Sequence, residues 1–456
     1  MSAMIPLLGG RDLRSTVAWQ GGRPVSAAQF LADAATLAEQ FPASGQAVNL
    51  CLDRYAFALG MVAALLRGQV SLMPPNTLQQ TLRQLPSGDA PPYVLADDPA
   101  VDAAGLPRVS VSALPGALAA ADEPLVAADQ VAVCLLTSGS TGPPQPHYKR
   151  WGALQSNIGA ESARLAELMA LPSIDGLNIV ATVPAQHSYG FESSVLLSLL
   201  GGAAFDSGRP FYPADIASAL GRLPRPRALV TTPLHLKTLL LSGVALPPTD
   251  LLLSATAPLS PQLAAQAEAA TGGRLVEIYG CTEAGQVAAR RTTAGDVWTT
   301  LGALRLRCET MPDGPCFVVQ GGHVLEPTPL ADTLELLDEH RFRLLGRTND
   351  LIHVAGKRSS LAHLNFHLNR IDGVRDGTFW LAGDDGESSA RTVVFVVAPG
   401  LDNGRLLAAL RDSIEPAFLP RRIVHVDALP REGTGKLTAQ ALQRFATETL
   451  ARGAPR

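Results

Sequence analysis

Short apolar runs alternate with amphipathic helical stretches along most of the N-terminal part of the chain, and this alternation strongly constrains the fold. The helical stretches place apolar residues three and four positions apart, as in 27-AAQFLADAATLAEQ and 55-YAFALGMVAALLR. The strand-like runs are short and end in turn residues, and they begin near residues 47, 70, 131, 178, 203, 228, 251 and 275. Strands connected through helices form parallel sheets with helices on their faces. The sequence therefore predicts an α/β fold built of layered subdomains.

The pattern changes past about residue 300. Short alternating runs such as 316-CFVVQGG and 341-RFRLLGR are typical of β-hairpins. From residue 351 onward, strand-like and helical stretches follow in an order that suits a small α+β domain. The junction 346-GRTNDL is short, polar and rich in turn-forming residues. We therefore predict a domain boundary at this junction.

Composition and charge argue against several functional classes. The net charge of −4 gives no electrostatic signature of a nucleic-acid partner. We find no uninterrupted apolar segment of membrane-spanning length, and the first residues do not read as a signal peptide. The 5 cysteines are scattered without a CxxC pair, which favours a reducing compartment. We therefore expect a cytoplasmic protein with no membrane span and no nucleic-acid partner.

A loop rich in glycine, serine and threonine, 137-TSGSTGPP, directly follows an apolar run. Such a loop can point backbone N–H groups and hydroxyls at one anion, and glycine lets the chain approach a phosphate closely. The loop matches neither the Walker order GxxxxGKS/T nor GxGxxG, and on its own it also fits a plain turn. The candidate phosphate-binding residues are Thr137, Ser138, Gly139, Ser140, Thr141 and Gly142, and Ser140 is also a candidate magnesium ligand.

Three later segments offer groups that suit the rest of a nucleotide. Glu283, in YGCTEAG, could hold a divalent cation, because magnesium prefers one or two carboxylates together with phosphates and water. Asp332 and Arg347 could accept from and donate to the two hydroxyls of a ribose. Lys436, in LPREGTGKLT, follows a glycine-rich turn and could reach a phosphate. Each has an ordinary structural alternative: a cap for the carboxylates, a salt bridge for the arginine and solvent exposure for the lysine.

Six segments in this order resemble the motifs of the adenylate-forming superfamily of acyl- and aryl-CoA synthetases, peptide-synthetase adenylation domains and luciferases. The glycine-rich loop resembles YTSGSTGxPKG, 184-PAQHSYG resembles PxxHxxG, and 254-SATAPLS resembles SGGAPL. YGCTE is similar to YGxTE, GRTNDLIHVAGKR to GRxDDxIKxxGxR, and LPREGTGKL to LPRTxxGKI. The resemblance covers about residues 20–445.

The resemblance implies an AMP-forming acid–thiol ligase. Such an enzyme uses ATP and Mg²⁺ to convert a carboxylic acid into an acyl-adenylate. It then passes the acyl group to the thiol of CoA or of the phosphopantetheine arm of an acyl carrier protein, and releases AMP. The implied architecture is an N-terminal AMP-binding domain over residues 1–346, a hinge at 347–350 and a mobile α+β C-terminal cap domain over 351–456.

The resemblance also implies roles for individual residues. Lys436 is expected to place a cation at the bridging oxygen during adenylation, and Thr282 and His187 are the other implied catalytic residues. The further implied nucleotide contacts are Thr256, Ala257, Pro258, Tyr279, Gly280, Asp332 and Arg347. The implied hinge residues are Asn349 and Asp350, Gly356 is implied to line the thiol tunnel, and Tyr189, Gly190 and Phe191 are implied to border the acyl pocket.

Two departures from the family pattern bear on activity. Gln145 stands where the family loop has its lysine, and Lys149 or Arg150 could reach the phosphates instead. Asn349 stands where the family has its hinge aspartate. Two alternatives therefore stay open beside the ligase: an adenylating enzyme with a different acceptor, and a non-catalytic nucleotide-binding relative.

The substrate is less specified than the reaction. Leu, Ala and Gly residues are frequent between 190 and 203, which favours an apolar acyl or aryl acid, and Glu192 leaves room for a polar tail on that acid. We find no obvious acidic anchor for an amino group in the sequence.

Overall fold

The computed structural model describes residues 2–86, 91–111, 119–137, 145–311, 314–347, 351–354, 357–381, 392–431 and 437–452. Within these ranges, the chain forms mixed α/β layers followed by a smaller group of strands and helices after residue 351. No helix within these ranges combines the length and apolar character needed to cross a bilayer.

A six-stranded sheet has the order β10-β9-β5-β4-β6-β7. All neighbouring pairs in it are parallel except β9 and β10, which form an antiparallel hairpin. Its strands are β4 (Gln46–Asn49), β5 (Val70–Met73), β6 (Pro92–Ala96), β7 (Arg108–Ser110), β9 (Val131–Thr137) and β10 (Gln145–Arg150). This sheet therefore presents the two strands that flank the glycine-rich loop at one of its edges.

An eleven-stranded sheet has the order β21-β22-β17-β16-β15-β14-β13-β11-β12-β2-β3. The strands from β15 to β2 in this order are parallel, and antiparallel strands extend the sheet at both ends. Its strands are β2 (Thr16–Gln20), β3 (Arg23–Ser26), β11 (Asn178–Ala181), β12 (Ala204–Asp206), β13 (Arg227–Thr231), β14 (Leu251–Ser254), β15 (Arg274–Cys281), β16 (Gly285–Arg291), β17 (Val297–Thr300), β21 (Asp332–Leu336) and β22 (Arg341–Arg347).

The helices pack on these sheets, and one of them is buried almost completely. Every residue of α2 from Arg54 to Leu65 is buried, as expected for a helix that is apolar on all sides. The helices are α1 (Ala27–Ala38), α2 (Arg54–Leu66), α3 (Gln79–Arg83), α4 (Trp151–Met169), α5 (Ser188–Gly190), α6 (Leu197–Leu200), α7 (Pro213–Arg222), α8 (Pro233–Leu241), α9 (Pro261–Thr271), α10 (Leu361–Asn369), α11 (Asn403–Arg411) and α12 (Ala439–Arg452). A π-helix, Phe191–Leu196, connects α5 to α6.

The remaining strands form smaller sheets. They are β1 (Met4–Pro6) with β8 (Leu125–Ala127), β18 (Arg305–Met311) with β19 (Gly314–Gly321) and β20 (Val324–Leu330), β23 (Leu351–Val354) with β24 (Lys357–Ser360), and β25 (Asp376–Leu381) with β26 (Thr392–Val397) and β27 (Arg422–His425). The hairpins expected beyond residue 300 are present as β18–β19–β20 and β21–β22.

The predicted α/β fold class is confirmed. One large core contains residues of both main sheets together with α1, α2 and α4. Two further cores are made of residues from 352 onward, around α10, α11 and the sheet β25–β26–β27. The division at 346, the hinge and the mobility of the C-terminal part stay predictions.

Candidate active site

The predicted nucleotide contacts Tyr279 and Asp332 come together although β16 and β17 lie between β15 and the β21–β22 hairpin in the sheet. The hydroxyl of Tyr279 donates a hydrogen bond to Oδ2 of Asp332 over 2.8 Å. Asp332 opens β21 and lies directly opposite Arg347, the last residue of β22. The ring of Tyr279 packs against Trp298 and Phe342, at centroid distances of 5.8 and 5.6 Å. A tyrosine and a carboxylate more than fifty positions apart in the sequence are thus held in one fixed geometry.

The strands β9 and β10 bring the two ends of the glycine-rich loop side by side. Thr137 and Gln145 are register partners across this hairpin. The Thr137 hydroxyl lies 3.2 Å from Nε2 of His147, and that ring nitrogen lies 3.9 Å from Oε1 of Glu283. Burial lowers the pKa of His147, although Glu283 acts against this shift. The hairpin therefore contacts the YGCTE segment directly.

Lys149 is the basic residue of this hairpin that reaches the YGCTE segment. Its Nζ donates to the backbone carbonyl of Glu283 over 2.6 Å. Burial lowers the pKa of Lys149, and Glu192 is the first of the acidic groups that oppose this shift. Gln145 is exposed at the start of β10, and Arg150 is exposed at its end. The pairing of β10 with β9 is irregular between Lys149 and Arg150, where one residue of β9 is skipped.

Glu283 suits a magnesium ion that is bound mainly through phosphates. Its side chain is 49% exposed and follows the end of β15. Within the described ranges, no group of three His, Cys, Asp or Glu residues could form an all-protein metal cage. Magnesium commonly takes one or two carboxylates, with phosphate oxygens and water as its other ligands. A single half-exposed carboxylate therefore fits the predicted role, and Thr282 lies beside it, partly buried.

The segment after β14, predicted to lie beside the adenine, has an unusual backbone. Thr256 has a φ of +77°, in the left-handed region that a β-branched residue rarely adopts. Thr256, Ala257 and Pro258 are all exposed. β14 pairs in parallel with β15, so this segment follows the strand next to the one that carries Tyr279. Gly280 is also exposed, one residue further along β15.

The predicted acyl-pocket segment runs from His187 into the π-helix. His187 is the partly buried residue that precedes α5. A Cβ on Gly190 would lie 2.0 Å from the carbonyl oxygen of Pro184, so only glycine allows this close approach. Phe191 is 0% exposed and packs edge-on against Phe57 at 6.3 Å, which makes it part of the core in this structure. Tyr189 is partly buried and packs against the same core.

Sequence reasoning singled out Glu192 but missed the group of buried polar side chains to which it belongs, which we call the buried polar cluster: Asn157, Glu161, Glu192, Ser193 and Gln286. Glu192 accepts from the Ser188 hydroxyl at 2.8 Å and from Nδ2 of Asn157 at 3.2 Å. Ser193 donates to Oε1 of Glu161 at 3.0 Å and accepts from Nε2 of Gln286 at 2.8 Å. The cluster joins α4, the π-helix and β16.

Both carboxyl groups of this cluster are shifted toward their neutral forms. Burial raises the pKa of Glu161 to about 8, and Glu192 adds to that rise. Burial also raises the pKa of Glu192, while Lys149 is the largest opposing influence. The spacing of Glu161 and Glu192 in the sequence gives no motif, and only their polar character within apolar helical stretches could have marked them.

Several predicted site residues lie outside the described residues or lack a described side chain. The phosphate-loop residues outside them are Ser138, Gly139, Ser140, Thr141 and Gly142. The hinge residues Asn349 and Asp350, the tunnel residue Gly356 and the catalytic candidate Lys436 also lie outside them. Of Arg347, the backbone position in β22 is described. The roles assigned to all of these residues stay predictions.

Comparison with known proteins agrees with the fold and with the order of these segments. The pattern of the family described as "AMP-binding enzyme" matches residues 74–309. The chain is 32% identical to the 4-coumarate–CoA ligase of Rhodobacter capsulatus over 305 residues, which is 66% of this chain and 73% of that protein. It is 27% identical to a probable 2-succinylbenzoate–CoA ligase of Mycobacterium tuberculosis, over 70% of this chain and 86% of that protein.

Solved structures extend the likeness in fold to nearly the whole chain. ATP-bound MatB from Rhodopseudomonas palustris superposes with a TM-score of 0.77 at 18% identity, over 96% of this chain and 97% of that chain. At this identity the match supports the fold alone. Fold and site together define an α/β protein in which the β9–β10 hairpin contacts the YGCTE segment and Tyr279 of that segment bonds to Asp332.

The family match and the identity to the 4-coumarate–CoA ligase make the assignment more specific. The chain belongs to the AMP-binding enzyme family, which confirms the resemblance to adenylate-forming enzymes that its motifs indicated.

Proposed function

We propose that this protein is an AMP-forming acid–thiol ligase, which activates a carboxylic acid with ATP and Mg²⁺ and transfers the acyl group to CoA. The observation that carries the proposal is a pair of contacts at the end of β15. Tyr279 is hydrogen-bonded to Asp332, and four residues later the backbone of Glu283 is hydrogen-bonded to Lys149 of the β9–β10 hairpin. The similar proteins named 4-coumarate–CoA ligase and 2-succinylbenzoate–CoA ligase support the same reaction class.

The described residues can bind and orient the nucleotide. Asp332 is placed to accept from ribose hydroxyls, and its hydrogen bond with Tyr279 limits its rotation. Glu283 offers a carboxylate to magnesium, and Lys149 holds the backbone of the same residue. Bound magnesium would neutralise charge on the phosphates during the reaction. A structure of o-succinylbenzoate CoA synthetase from Bacillus subtilis, with ATP and magnesium ion, superposes with a TM-score of 0.78.

Catalysis in this proposal comes mainly from positioning and from charge stabilisation. The carboxylate of the substrate must meet the α-phosphorus in line with the departing pyrophosphate, and fixed cations stabilise the charge that develops there. Lys149 is a described cation beside Glu283, and Lys436 is the second cation that the motifs predict. Thr282 and His187 complete the proposed set, at the metal side and the acyl side of the centre.

The proposal also specifies the thiol that accepts the acyl group and the class of acid that is activated. The names of the similar ligases support CoA as the thiol, and the phosphopantetheine arm of an acyl carrier protein is the alternative acceptor of the same chemistry. The acid is proposed to carry an apolar acyl or aryl body, because Tyr189 borders the large apolar core beside the π-helix. The cytoplasm is the proposed compartment.

A two-step assay tests this function. The purified protein is given ATP, Mg²⁺ and a panel of acyl and aryl acids, and ATP–pyrophosphate exchange measures activation. CoA or holo carrier protein is then added, and mass spectrometry detects the thioester. We expect exchange with at least one acid and thioester formation with CoA.

Asp332→Ala should raise the KM for ATP at least tenfold, since a lost hydrogen bond to a charged group costs about 1.5–3 kcal/mol. Asp338→Ala is the matched control, because Asp338 lies in the same hairpin but pairs with Arg341 at its exposed end. Exchange with no acid in the panel would contradict the proposed function. An equal effect of the two variants would contradict the role of Asp332.

A further inference from the structure

Three oxygen atoms of the buried polar cluster have no hydrogen-bond partner within the part of the chain that the structure describes. They are Oδ1 of Asn157, Oε2 of Glu161 and Oε1 of Gln286. The three residues are only 2%, 0% and 3% exposed. A buried polar atom without a partner costs about 1–3 kcal/mol, and nearly all such atoms in native proteins are satisfied. Three of them in one cluster therefore indicate a group that binds there.

The position of the cluster identifies the site to which such a group would belong. Glu192 and Ser193 lie in the π-helix that follows Tyr189 directly, and π-helices are frequent at functional sites. Gln286 lies three residues after Glu283, so the cluster is next to the predicted magnesium ligand along β16. The cluster thus connects the acyl-pocket segment to the nucleotide side of the centre.

Glycine at position 285 keeps the polar groups close around one point. A Cβ there would lie 3.2 Å from Nδ2 of Asn157, 3.5 Å from Nε2 of His323 and 3.7 Å from Oε1 of Glu192. Nε2 of His323 also has no hydrogen-bond partner among the described residues. Burial lowers the pKa of His323 to about 4, so at neutral pH the ring is uncharged and can accept a hydrogen bond.

The charges and hydrogen-bonding groups around Gly285 favour a bound group that donates hydrogen bonds. Burial favours a protonated Glu161 in the absence of a ligand, and a bound donor would hold it as a carboxylate that accepts together with Glu192, two amide oxygens and the neutral imidazole. Lys149 is the cation that acts on Glu192. The groups that act on Glu161 are Gln286, Ser193 and Glu192, none of which is a cation. A hydroxyl donates one hydrogen bond and an ammonium donates three, so either would satisfy acceptors that the protein leaves open.

We propose that the buried polar cluster recognises an amino or hydroxyl group on the acid, remote from the carboxylate that is activated, and that Glu161 determines this preference. The inference rests on the proposed function, because it assigns a substrate class to that same site. It adds to the sequence-based expectation, in which no acidic anchor for an amino group was found. Glu161 and Glu192 can form such an anchor because the fold brings α4 and the π-helix together.

The test compares acids that differ in a single terminal group. Three series serve as probes: benzoic and cinnamic acids with a para amino, hydroxyl or methyl group, and alkanoic acids with a terminal amino, hydroxyl or methyl group. The kcat/KM for pyrophosphate exchange is measured for the native protein and for Glu161→Leu. Gln286→Leu is a second variant of the cluster, in case Glu161→Leu does not fold. Glu167→Gln is the matched control, since Glu167 lies on the same helix and is exposed beside Arg164.

We expect the native protein to favour the amino or hydroxyl member of at least one series over the methyl member by tenfold or more. A site built to bind a donor rejects the analogue that lacks it, because its buried acceptors are then left open. Glu161→Leu should remove most of this preference by lowering kcat/KM for the donor-bearing acid at least tenfold, with the methyl acid unaffected or improved. Glu167→Gln should keep the native preference.

The amino and hydroxyl acids distinguish a charged donor from a neutral one. Equal or better use of the methyl acids by the native protein would overturn the inference, as would a preference unchanged in both cluster variants. Those results leave exchange intact and so leave the proposed function standing. Exchange with none of the acids would overturn the proposed function, and the inference with it.

Discussion

Thr256 shows how a single backbone angle distinguishes this chain from the motif it resembles. The family pattern SGGAPL has glycine at this position, and glycine adopts left-handed angles without a steric penalty. Here threonine holds a φ of +77° at an exposed site. Strained residues concentrate at binding sites, where the surrounding structure maintains them. The strain at Thr256 therefore agrees with its predicted place beside the adenine.

Thr256→Gly should increase the free energy of unfolding by about 1 kcal/mol. The left-handed conformation costs an L-residue about 1–2 kcal/mol, and the greater flexibility of glycine in the unfolded chain offsets part of that gain. Urea unfolding measures the change. Ala257→Gly is the control, since Ala257 is exposed in the same segment and does not have a positive φ. A Thr256→Gly protein no more stable than the Ala257→Gly protein would show that the strain is absent in solution.

Glu161 should make the stability of the native protein depend on pH. Its pKa is raised from 4.5 to about 8, so the folded state binds this proton more tightly than the unfolded state does. The contribution is complete below pH 4.5 and is lost as the pH rises toward 8, by up to about 1.4 kcal/mol per pH unit. Glu161→Gln, which cannot ionise, should flatten this slope in urea unfolding measured from pH 5 to 8.

The exposed neighbour Glu167 serves again as the control for this measurement. Glu167→Gln should leave the slope of the native protein unchanged, because the Glu167 side chain is exposed and its surface ion pair with Arg164 contributes little to stability. If Glu161→Gln and the native protein lost stability in parallel from pH 5 to 8, Glu161 would have to be ionised and solvated in the folded state.

At the scale of elements, the β9–β10 hairpin carries Lys149 four positions after Gln145, which occupies the lysine position of the family loop. Gln145 occupies the usual lysine position and is exposed, whereas Lys149 is partly buried and bonded to the Glu283 carbonyl. The two residues share one face of β10, since they are an even number of positions apart. We therefore predict that Lys149 reaches the phosphates from a later position of the same strand.

Lys149→Ala should lower kcat/KM for ATP at least tenfold in pyrophosphate exchange, because a hydrogen bond to a charged group is worth about 1.5–3 kcal/mol. Arg150→Ala, exposed at the end of the same strand, should change it little. Lys149→Arg should restore part of the activity, as it keeps the charge but not the shape of the ammonium. Equal losses of kcat/KM in the Lys149→Ala and Arg150→Ala proteins would contradict the idea that Lys149 acts in place of the lysine of the family loop.

The elements that could be predicted from the sequence are those with a clear period. The short apolar runs became strands of the two main sheets, and the helical spacings at 27 and 55 became α1 and α2. The π-helix at Phe191–Leu196 could not be predicted in this way, because one extra residue per turn leaves no repeating signal in six residues. The buried polar cluster depends on that π-helix, and for this reason the residues around Glu161 gave no functional signal either.

At the scale of the whole molecule, we expect motifs to carry more information about the nucleotide side than about the acyl side, and the roles on both sides stay predictions. Tyr279 and Asp332 were predicted as nucleotide contacts on separate evidence, and the structure joins them by a hydrogen bond. Phe191 was predicted to border the acyl pocket, a role that stays a prediction, and its ring packs against Phe57. Phosphate and ribose impose the same donor and acceptor geometry on many proteins, whereas an acyl pocket is shaped by packing among distant elements. We therefore expect local sequence motifs to indicate the phosphate and ribose contacts but not the shape of the acyl pocket.

The C-terminal domain is predicted to alternate between one position for adenylation and another for thioester formation. Two substitutions test these two positions separately. Lys436→Ala should reduce pyrophosphate exchange at least a hundredfold, since loss of one preorganised donor costs about 3–4 kcal/mol in the transition state. It should spare thioester formation from a supplied acyl-adenylate and CoA. Gly356→Trp should have the reverse effect, because a side chain in the tunnel would block the thiol arm while exchange continues.

Both half-reactions are measured on each protein, with thermal melting to confirm that each variant is folded. Opposite losses in the two variants would mean that one centre uses two faces of the C-terminal domain in turn. Equal losses in both half-reactions for Lys436→Ala would mean that the lysine supports a single fixed arrangement. In that case the junction at 347–350 would be a connection between domains and not a pivot.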